Sequence, residues 1–147
     1  MKILMALIVG MFALMAFRDN DLNQPVLISS IDSNKLPLQN TRWKLVELGG
    51  KKIPVNATSK PMYLILKSDS TVSGNGGCNA FSGTYSLGKN NEIIFGELVR
   101  TNILCPGIDY EKNYLNAIAN ADHYEIVGNE LLLQNKLTSL AKFTGSD

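Results

Sequence analysis

The side chains best suited to nucleophilic or metal chemistry are two cysteines, Cys78 and Cys105, and a single histidine, His123. A thiolate nucleophile needs a base to activate it, and a structural zinc ion needs four protein ligands. One histidine and two cysteines lack a fourth ligand, and each thiol has a competing partner in the other. We therefore predict no metal, no cofactor and no catalytic residue, and we interpret His123 as a surface residue at the end of a helix.

A glycine-rich stretch from Ser73 to Tyr85 is the most distinctive part of the sequence. A phosphate cradle places its glycines between a strand and a helix, whereas more strand follows here. Ser82 precedes Gly83 but lacks the other flanking glycine of a nucleophile elbow. The pattern favours a tight connection between strands over a ligand-binding loop.

The composition describes one ordinary globular domain. The chain has 147 residues, 45% of them hydrophobic and 18% charged, with a net charge of +1. Basic residues are scattered rather than clustered, so the electrostatic footprint of a nucleic-acid-binding protein is missing. Nucleic acid is therefore not an expected partner.

The N-terminus has the layout of an export signal, in which an apolar run from Ile3 to Phe17 follows Lys2 and ends at Arg18. A helix over this run reaches about 22 Å, short of the roughly 30 Å of a bilayer core. We predict a signal peptide over 1–17, favour its cleavage, and keep an uncleaved anchor as the alternative because no clear cleavage triplet ends the run. Membrane contact is expected only through this segment, and no cysteine lies near it for lipid attachment.

Residues 18–40 read as a polar, proline-containing linker, and residues 41–147 as the folded domain. In the domain, short apolar runs alternate with Gly, Asn, Asp and Pro at intervals of about ten residues, which is typical of an antiparallel sandwich or barrel. The predicted strands are Arg42–Leu48, Met62–Lys67, Thr71–Gly74, Phe81–Leu87, Glu92–Glu97, Tyr124–Val127, Glu130–Gln134 and Leu137–Phe143. Hairpin turns are predicted at Gly49-Gly50, Gly88 to Asn91 and Gly128-Asn129.

One segment has helical rather than strand periodicity. Apolar residues from Tyr110 to Ala121 fall on one face of a helix of about three turns. Asp109 is placed to cap this helix, and Glu111 lies near the positive end of its dipole. We expect the apolar face to close one end of the β core.

The cysteines are expected to form a disulfide, because an exported chain meets an oxidising compartment. The bond closes a loop of about 27 residues, which on the chain-entropy model stabilises the fold by roughly 3 to 3.5 kcal/mol. Two free thiols are the alternative, because spacing alone does not place the two Cα atoms within bonding distance.

The order and spacing of these motifs resemble a known family. The sequence over about Thr41 to Phe143 is similar to the META domain of the heat-shock protein HslJ family. The residues that carry the resemblance are Trp43-Lys44-Leu45, Ser73-Gly74, Gly77-Cys78-Asn79, Phe81-Ser82-Gly83-Thr84-Tyr85, Thr101 through Cys105, Glu111 and Leu131-Leu132-Leu133.

The resemblance implies a mainly β fold, namely a small, partly open antiparallel barrel of about seven or eight strands with one helix. It also implies a stress-associated protein of the periplasm or cell envelope with no established enzymatic activity. Some members carry a lipid-attachment cysteine, which this chain lacks. Cys78 and Cys105 match the paired cysteine positions of the family, which strengthens the disulfide prediction.

We therefore expect an exported, non-enzymatic envelope protein with a protective or stress-related role, acting by binding another protein or an apolar ligand. The partner itself is unknown from the sequence. One alternative is a carrier of a lipid-like molecule in the barrel mouth. Others are a thiol-dependent enzyme, and an inhibitor or adaptor that presents the loop Asn75-Gly76-Gly77 to a partner.

Overall fold

The computed structural model describes residues 35–105 and 108–146. The predicted signal peptide and most of the predicted linker lie outside these residues. The described part contains one helix, α1 (Ile108–Ala119), and the strands β1 (Arg42–Leu48), β2 (Lys51–Lys52), β3 (Tyr63–Leu66), β4 (Thr71–Asn75), β5 (Ala80–Leu87), β6 (Ile93–Phe95), β7 (Val99–Arg100), β8 (His123–Val127), β9 (Glu130–Asn135) and β10 (Thr138–Ser146).

Eight strands form an antiparallel sheet that curls into a nearly closed barrel. Their order is β6-β5-β4-β3-β1-β10-β9-β8, with β2 paired to β1 and β7 paired to β5. The two edges meet at a short seam, where the Ile93 amide donates to the Asp122 carbonyl at 3.0 Å and the Tyr124 amide donates to the Asn91 carbonyl at 3.0 Å. The prediction of a partly open antiparallel barrel with one helix is confirmed.

Alternating side chains fill the interior of the barrel. On β3, Leu64 and Leu66 are buried while Tyr63 and Ile65 are only partly so, which is the period of two expected of a strand with one face on a core. The largest fully buried side chains are Trp43, Tyr114, Phe143, Leu64, Leu66, Ile93, Ile118, Leu131 and Leu133. The lumen is therefore a packed core.

The helix closes one end of the barrel, which we call the helical end. It joins β7 to β8 and packs against β10, β1 and β6. Tyr114 of the helix meets Phe81 edge-on at 5.9 Å between ring centroids and Phe143 at 6.0 Å. The helix begins at Ile108, two residues before the predicted start, and its apolar face is directed at the core as expected.

Residues 36–41, which we call the strap, cross the other end of the barrel. The Leu36 amide donates to the Gly128 carbonyl at 3.1 Å, and the Asn40 amide donates to the Leu66 carbonyl at 2.7 Å. Leu38 is buried, and its carbonyl accepts a hydrogen bond from Trp43 Nε1 at 2.9 Å. The last residues of the predicted linker thus pack against the barrel.

All three predicted glycine turns close hairpins, between β1 and β2, β5 and β6, and β8 and β9. The sequence reasoning missed β2 and β7, which are two residues long and exposed. Strands this short have no alternation of apolar and polar residues to detect. Within the described ranges no helix is long and apolar enough to cross a bilayer.

Candidate functional site

A buried polar cluster at the helical end contains most of the polar residues of the sequence motif. Glu111, in the first turn of α1, is 1% exposed, and Asn79, just before β5, is also 1% exposed. Glu111 Oε2 accepts the Asn79 backbone amide at 2.7 Å, and Oε1 accepts Asn79 Nδ2 at 2.9 Å. Arg100 Nη1 donates to Oε1 at 3.2 Å from a partly exposed position.

The Asn79 side chain also fixes the segment that follows β7. Its Oδ1 accepts the Thr101 hydroxyl at 2.7 Å and the Ile103 amide at 2.7 Å, while its Nδ2 donates to the Ile103 carbonyl at 3.0 Å. Both ends of the amide are therefore fully used. The network ties three separate parts of the chain together at the point where the helix meets the barrel.

The glycines before Cys78 let the backbone approach this cluster. A Cβ atom added to Gly76 would lie only 2.5 Å from Glu111 Cγ, and one added to Gly77 would lie 2.6 Å from Thr58 Cβ. Gly77 also has φ of +100°, which side-chain-bearing residues rarely adopt. The loop Asn75-Gly76-Gly77 is buried, so the hypothesis that it is presented to a partner is wrong.

Cys78 and Cys105 form a disulfide with their Cα atoms 6.0 Å apart, as predicted. Cys78 is 4% exposed, and Cys105 is partly exposed. The bond fastens the segment after β7 to the residue next to Asn79. It leaves the described part of the chain without a free thiol.

His123 begins β8, and its Nδ1 lies 2.9 Å from Asp122 Oδ1. This hydrogen bond holds the pKa of the Asp122 carboxyl below its usual value. Among residues 35–105 and 108–146, no cluster of three or more His, Cys, Asp or Glu side chains could hold a metal ion.

The other motif residues belong to the core or to close packing. Trp43, Phe81 and Tyr85 are buried, and the Tyr85 hydroxyl donates to the Lys67 carbonyl at 2.7 Å. A Cβ atom added to Gly83 would lie 2.6 Å from the Glu97 carbonyl oxygen. Gly74 pairs with Leu64 and Phe81 in the sheet. These positions shape the barrel rather than display reactive groups.

The buried Glu111 carboxylate accepts three hydrogen bonds from protein donors in total, two from Asn79 and one from Arg100. Arg100 was missed by sequence reasoning, since an arginine in a two-residue strand carries no motif.

An open groove with a volume of about 750 Å³ lies between the helix and the β1–β2 hairpin. Its lining is Leu48, Gly49, Lys51, Lys52, Ile53, Pro54, Tyr110, Asn113, Asn116, Ala117, Asn120 and Leu140. Of the described residues that line it, the two lysines are the charged ones. The groove could not be predicted from the sequence, because its walls come from three distant segments.

A nearly closed barrel, a capping helix and an internally satisfied polar cluster define a small β-barrel domain with an external groove. A family model for the META domain matches residues 36–147, so the chain belongs to the META domain family. The match begins at the strap, which agrees with the packing of Leu36 and Leu38 on the barrel.

Solved structures show the same fold. The chain is similar to a protein from Burkholderia xenovorans solved by NMR, with 27% identity and a TM-score of 0.60, over 74% of this chain and 83% of that one. A DUF4847 family protein from Bacteroides vulgatus has 20% identity and a TM-score of 0.54, over 73% of this chain and 93% of that one. No curated protein matches the chain in sequence.

Proposed function

We propose that this chain is an exported, non-enzymatic protein of the cell envelope that has a protective or stress-related role and binds another protein or an apolar molecule. The observation that carries the proposal is the groove, which is open to solvent. The polar motif residues Asn79 and Glu111, by contrast, are hydrogen-bonded to each other. Binding is therefore the activity best supported by the geometry.

The chemistry of the groove favours an apolar occupant that carries a negative charge. Leu48, Ile53 and Leu140 supply partly buried aliphatic surface. Lys51 and Lys52 are exposed at the hairpin, and none of the described residues that line the groove is acidic. Opposite charge at the rim steers a partner towards the site and fixes its orientation.

The absence of enzymatic activity is supported by the state of the reactive groups. The cysteines are joined, which argues against a thiol-dependent enzyme. The Glu111 carboxylate is buried and already accepts hydrogen bonds from protein donors. An exported location is supported by the disulfide, because such bonds persist in oxidising compartments, and by the signal-like N-terminus.

The packed interior of the barrel argues against the alternative in which a lipid-like molecule is carried in the barrel mouth. The lumen holds Trp43, Phe143 and Tyr114, and the strap and the helix cover its two ends. A lipid-like molecule inside the barrel has to displace these side chains. An apolar ligand is therefore better accommodated in the groove than in the barrel mouth.

The groove can be tested by filling it from an exposed helix position. Asn116→Trp places a bulky neutral side chain at the groove, whereas Ala119→Trp places the same side chain on an exposed helix position outside the lining. A fluorescent fatty acid serves as the apolar, negatively charged probe. We expect saturable binding by the parent chain and Ala119→Trp, and loss of at least about tenfold in affinity in Asn116→Trp.

The protein-binding version is tested in the native envelope with a photo-crosslinking amino acid at Asn113 and, as the matched control, at Lys112. A discrete adduct formed from Asn113 alone, and lost on adding Asn116→Trp, supports it. If both positions give equal adducts and the fluorescent probe shows no saturable binding, the groove is not the binding site.

A further inference from the structure

Two consecutive aliphatic side chains are displayed at the helical end, between β7 and α1. Leu104 is 92% exposed and Ile103 is 54% exposed. Val99, at the start of β7, is 64% exposed nearby in sequence. Exposed apolar surface that is contiguous on a folded domain is a candidate interaction site.

The backbone on both sides of Leu104 is fixed. The Ile103 amide and carbonyl are both held by the Asn79 side chain, at 2.7 and 3.0 Å. The Thr101 amide donates to the Ala80 carbonyl at 3.0 Å, and Cys105 is bonded to Cys78. Thr101–Cys105 contains neither a turn nor a bend. The segment is thus an extended strip of chain, anchored before and after its most exposed side chain.

We propose that Thr101–Cys105 is a substrate-like inhibitory loop for a serine endopeptidase whose primary pocket accepts a branched aliphatic side chain, with Leu104 as the residue that enters the pocket. Endopeptidase complexes with inhibitors form between rigid partners whose interface backbones move little. A loop already ordered in the free protein avoids most of the entropic cost of being fixed on binding. This inference does not depend on the groove.

The disulfide explains why such a loop inhibits the enzyme rather than being consumed. Attack of the serine oxygen on the Leu104 carbonyl carbon breaks the bond to Cys105, whose nitrogen takes a proton and becomes a free amine. Cys105 stays attached through Cys78 beside Asn79, which still holds Ile103. The tethered amine is therefore at high local concentration and re-forms the peptide bond by the reverse reaction, releasing the serine. Hydrolysis by water competes only slowly.

The position of the loop favours a protein over a bilayer as its partner. The strap, through which the chain enters the domain, crosses the opposite end of the barrel. Thr101–Cys105 contains no basic residue, and Arg100, which precedes it in sequence, is engaged by Glu111. The loop itself therefore offers no free basic group for anionic lipid.

The test measures inhibition of pancreatic elastase, subtilisin and trypsin by the oxidised full chain, using small chromogenic peptide substrates. The parent chain is expected to inhibit elastase or subtilisin but not trypsin, whose pocket selects basic residues. Leu104→Lys should weaken that inhibition at least about 30-fold and create inhibition of trypsin. Leu137→Lys is the matched control, since Leu137 is 96% exposed on the turn between β9 and β10.

A second measurement separates inhibitor from substrate. With the disulfide reduced, mass spectrometry should show rapid cleavage between Leu104 and Cys105, whereas the oxidised chain should remain largely intact. The proposal is overturned if the oxidised chain inhibits none of the three enzymes, if it is cleaved rapidly there, or if Leu104→Lys and Leu137→Lys act alike.

Discussion

The two ends of the barrel are closed by different kinds of interaction. At the helical end a buried carboxylate, an amide side chain and a disulfide converge on one point. At the strap end, backbone hydrogen bonds and the buried Leu38 hold an extended segment across the opening. Hydrogen bonds to charged groups are stronger, and leaving such a group unpaired in the interior is costly.

The difference explains where the motif residues lie. Cys78, Asn79, Thr101, Cys105 and Glu111 all belong to the helical end, although they look like candidates for chemistry in the sequence. Their placement indicates that the motif specifies how the helix and the preceding segment are fastened to the barrel. The strap end uses two other motif residues, since Trp43 Nε1 donates to the Leu38 carbonyl and Gln39 Nε2 donates to the Tyr85 hydroxyl. These contacts are hydrogen bonds between neutral groups, in contrast to those of Glu111.

The largest effect is expected from removing the buried carboxylate. Glu111→Ala leaves the Asn79 amide groups without their acceptor, so the free energy of unfolding should fall by about 3 to 5 kcal/mol. Glu97→Ala, at an exposed position, should change it by less than about 0.5 kcal/mol. Urea denaturation measures both. Similar small effects from the two variants contradict a structural role for the cluster.

The disulfide comes next. Replacing both Cys78 and Cys105 with Ala should lower the free energy of unfolding by about 3.5 kcal/mol, because the unfolded chain regains the entropy of a loop of 27 residues. Hydrogen exchange should rise mainly after β7 and in the first turn of α1. If exchange rises equally at the strap, the two ends are not independent units.

The strap should matter less. Leu38→Ala removes a side chain that is 9% exposed, and we expect a loss of about 2 kcal/mol in thermal unfolding analysed at constant pH. Leu137→Ala, at a nearly fully exposed position, serves as the control. If Leu38→Ala lowers the free energy of unfolding as much as Glu111→Ala does, the strap is as important as the polar cluster, which contradicts the expected difference between the two ends.

The smallest effect concerns the Tyr114 hydroxyl, which is buried and has no hydrogen-bond partner among the described protein groups. Burial, with a smaller contribution from Tyr63, raises its pKa well above the ordinary value of 10.0. The neutral form is thus favoured in the folded state, and the resulting stability is present below pH 10 and lost as the pH rises above it.

Tyr114→Phe should therefore unfold less readily above pH 10 than the parent chain, with a change of about 1 kcal/mol or less at pH 7. Denaturant titrations of the parent chain and of Tyr114→Phe, at pH 7 and above pH 10, measure this difference in the free energy of unfolding. Identical pH dependence in parent and variant shows that Tyr114 is not the titrating group.

Much of the architecture could be predicted because the longer strands carry their own signal. Alternating side chains mark β3 and β9, and glycine turns mark three hairpins. The helix was found from its spacing of Tyr114, Ala117 and Ile118, all buried. These are local patterns, so they can be read without knowing what the chain folds against.

The site was harder to predict because its contacts are not local. The hydrogen bonds between Asn79 and Glu111 join residues 32 positions apart, and an acidic residue in the first helical turn is normally explained by the helix dipole. The groove and the exposed Leu104 depend on which faces remain uncovered after folding. No periodicity in the sequence encodes that.

The most direct test of the difference between the two ends is a pair of double-mutant cycles on the free energy of unfolding. One combines Asn79→Ala with Glu111→Ala, whose side chains are 2.9 Å apart. The other combines Gln39→Ala with Tyr85→Phe at the strap, which are joined at 2.6 Å. We predict a coupling energy of about 2 kcal/mol for the first pair and below about 1 kcal/mol for the second. A coupling below about 0.5 kcal/mol for Asn79 and Glu111 contradicts the claim that this buried pair fastens the helical end.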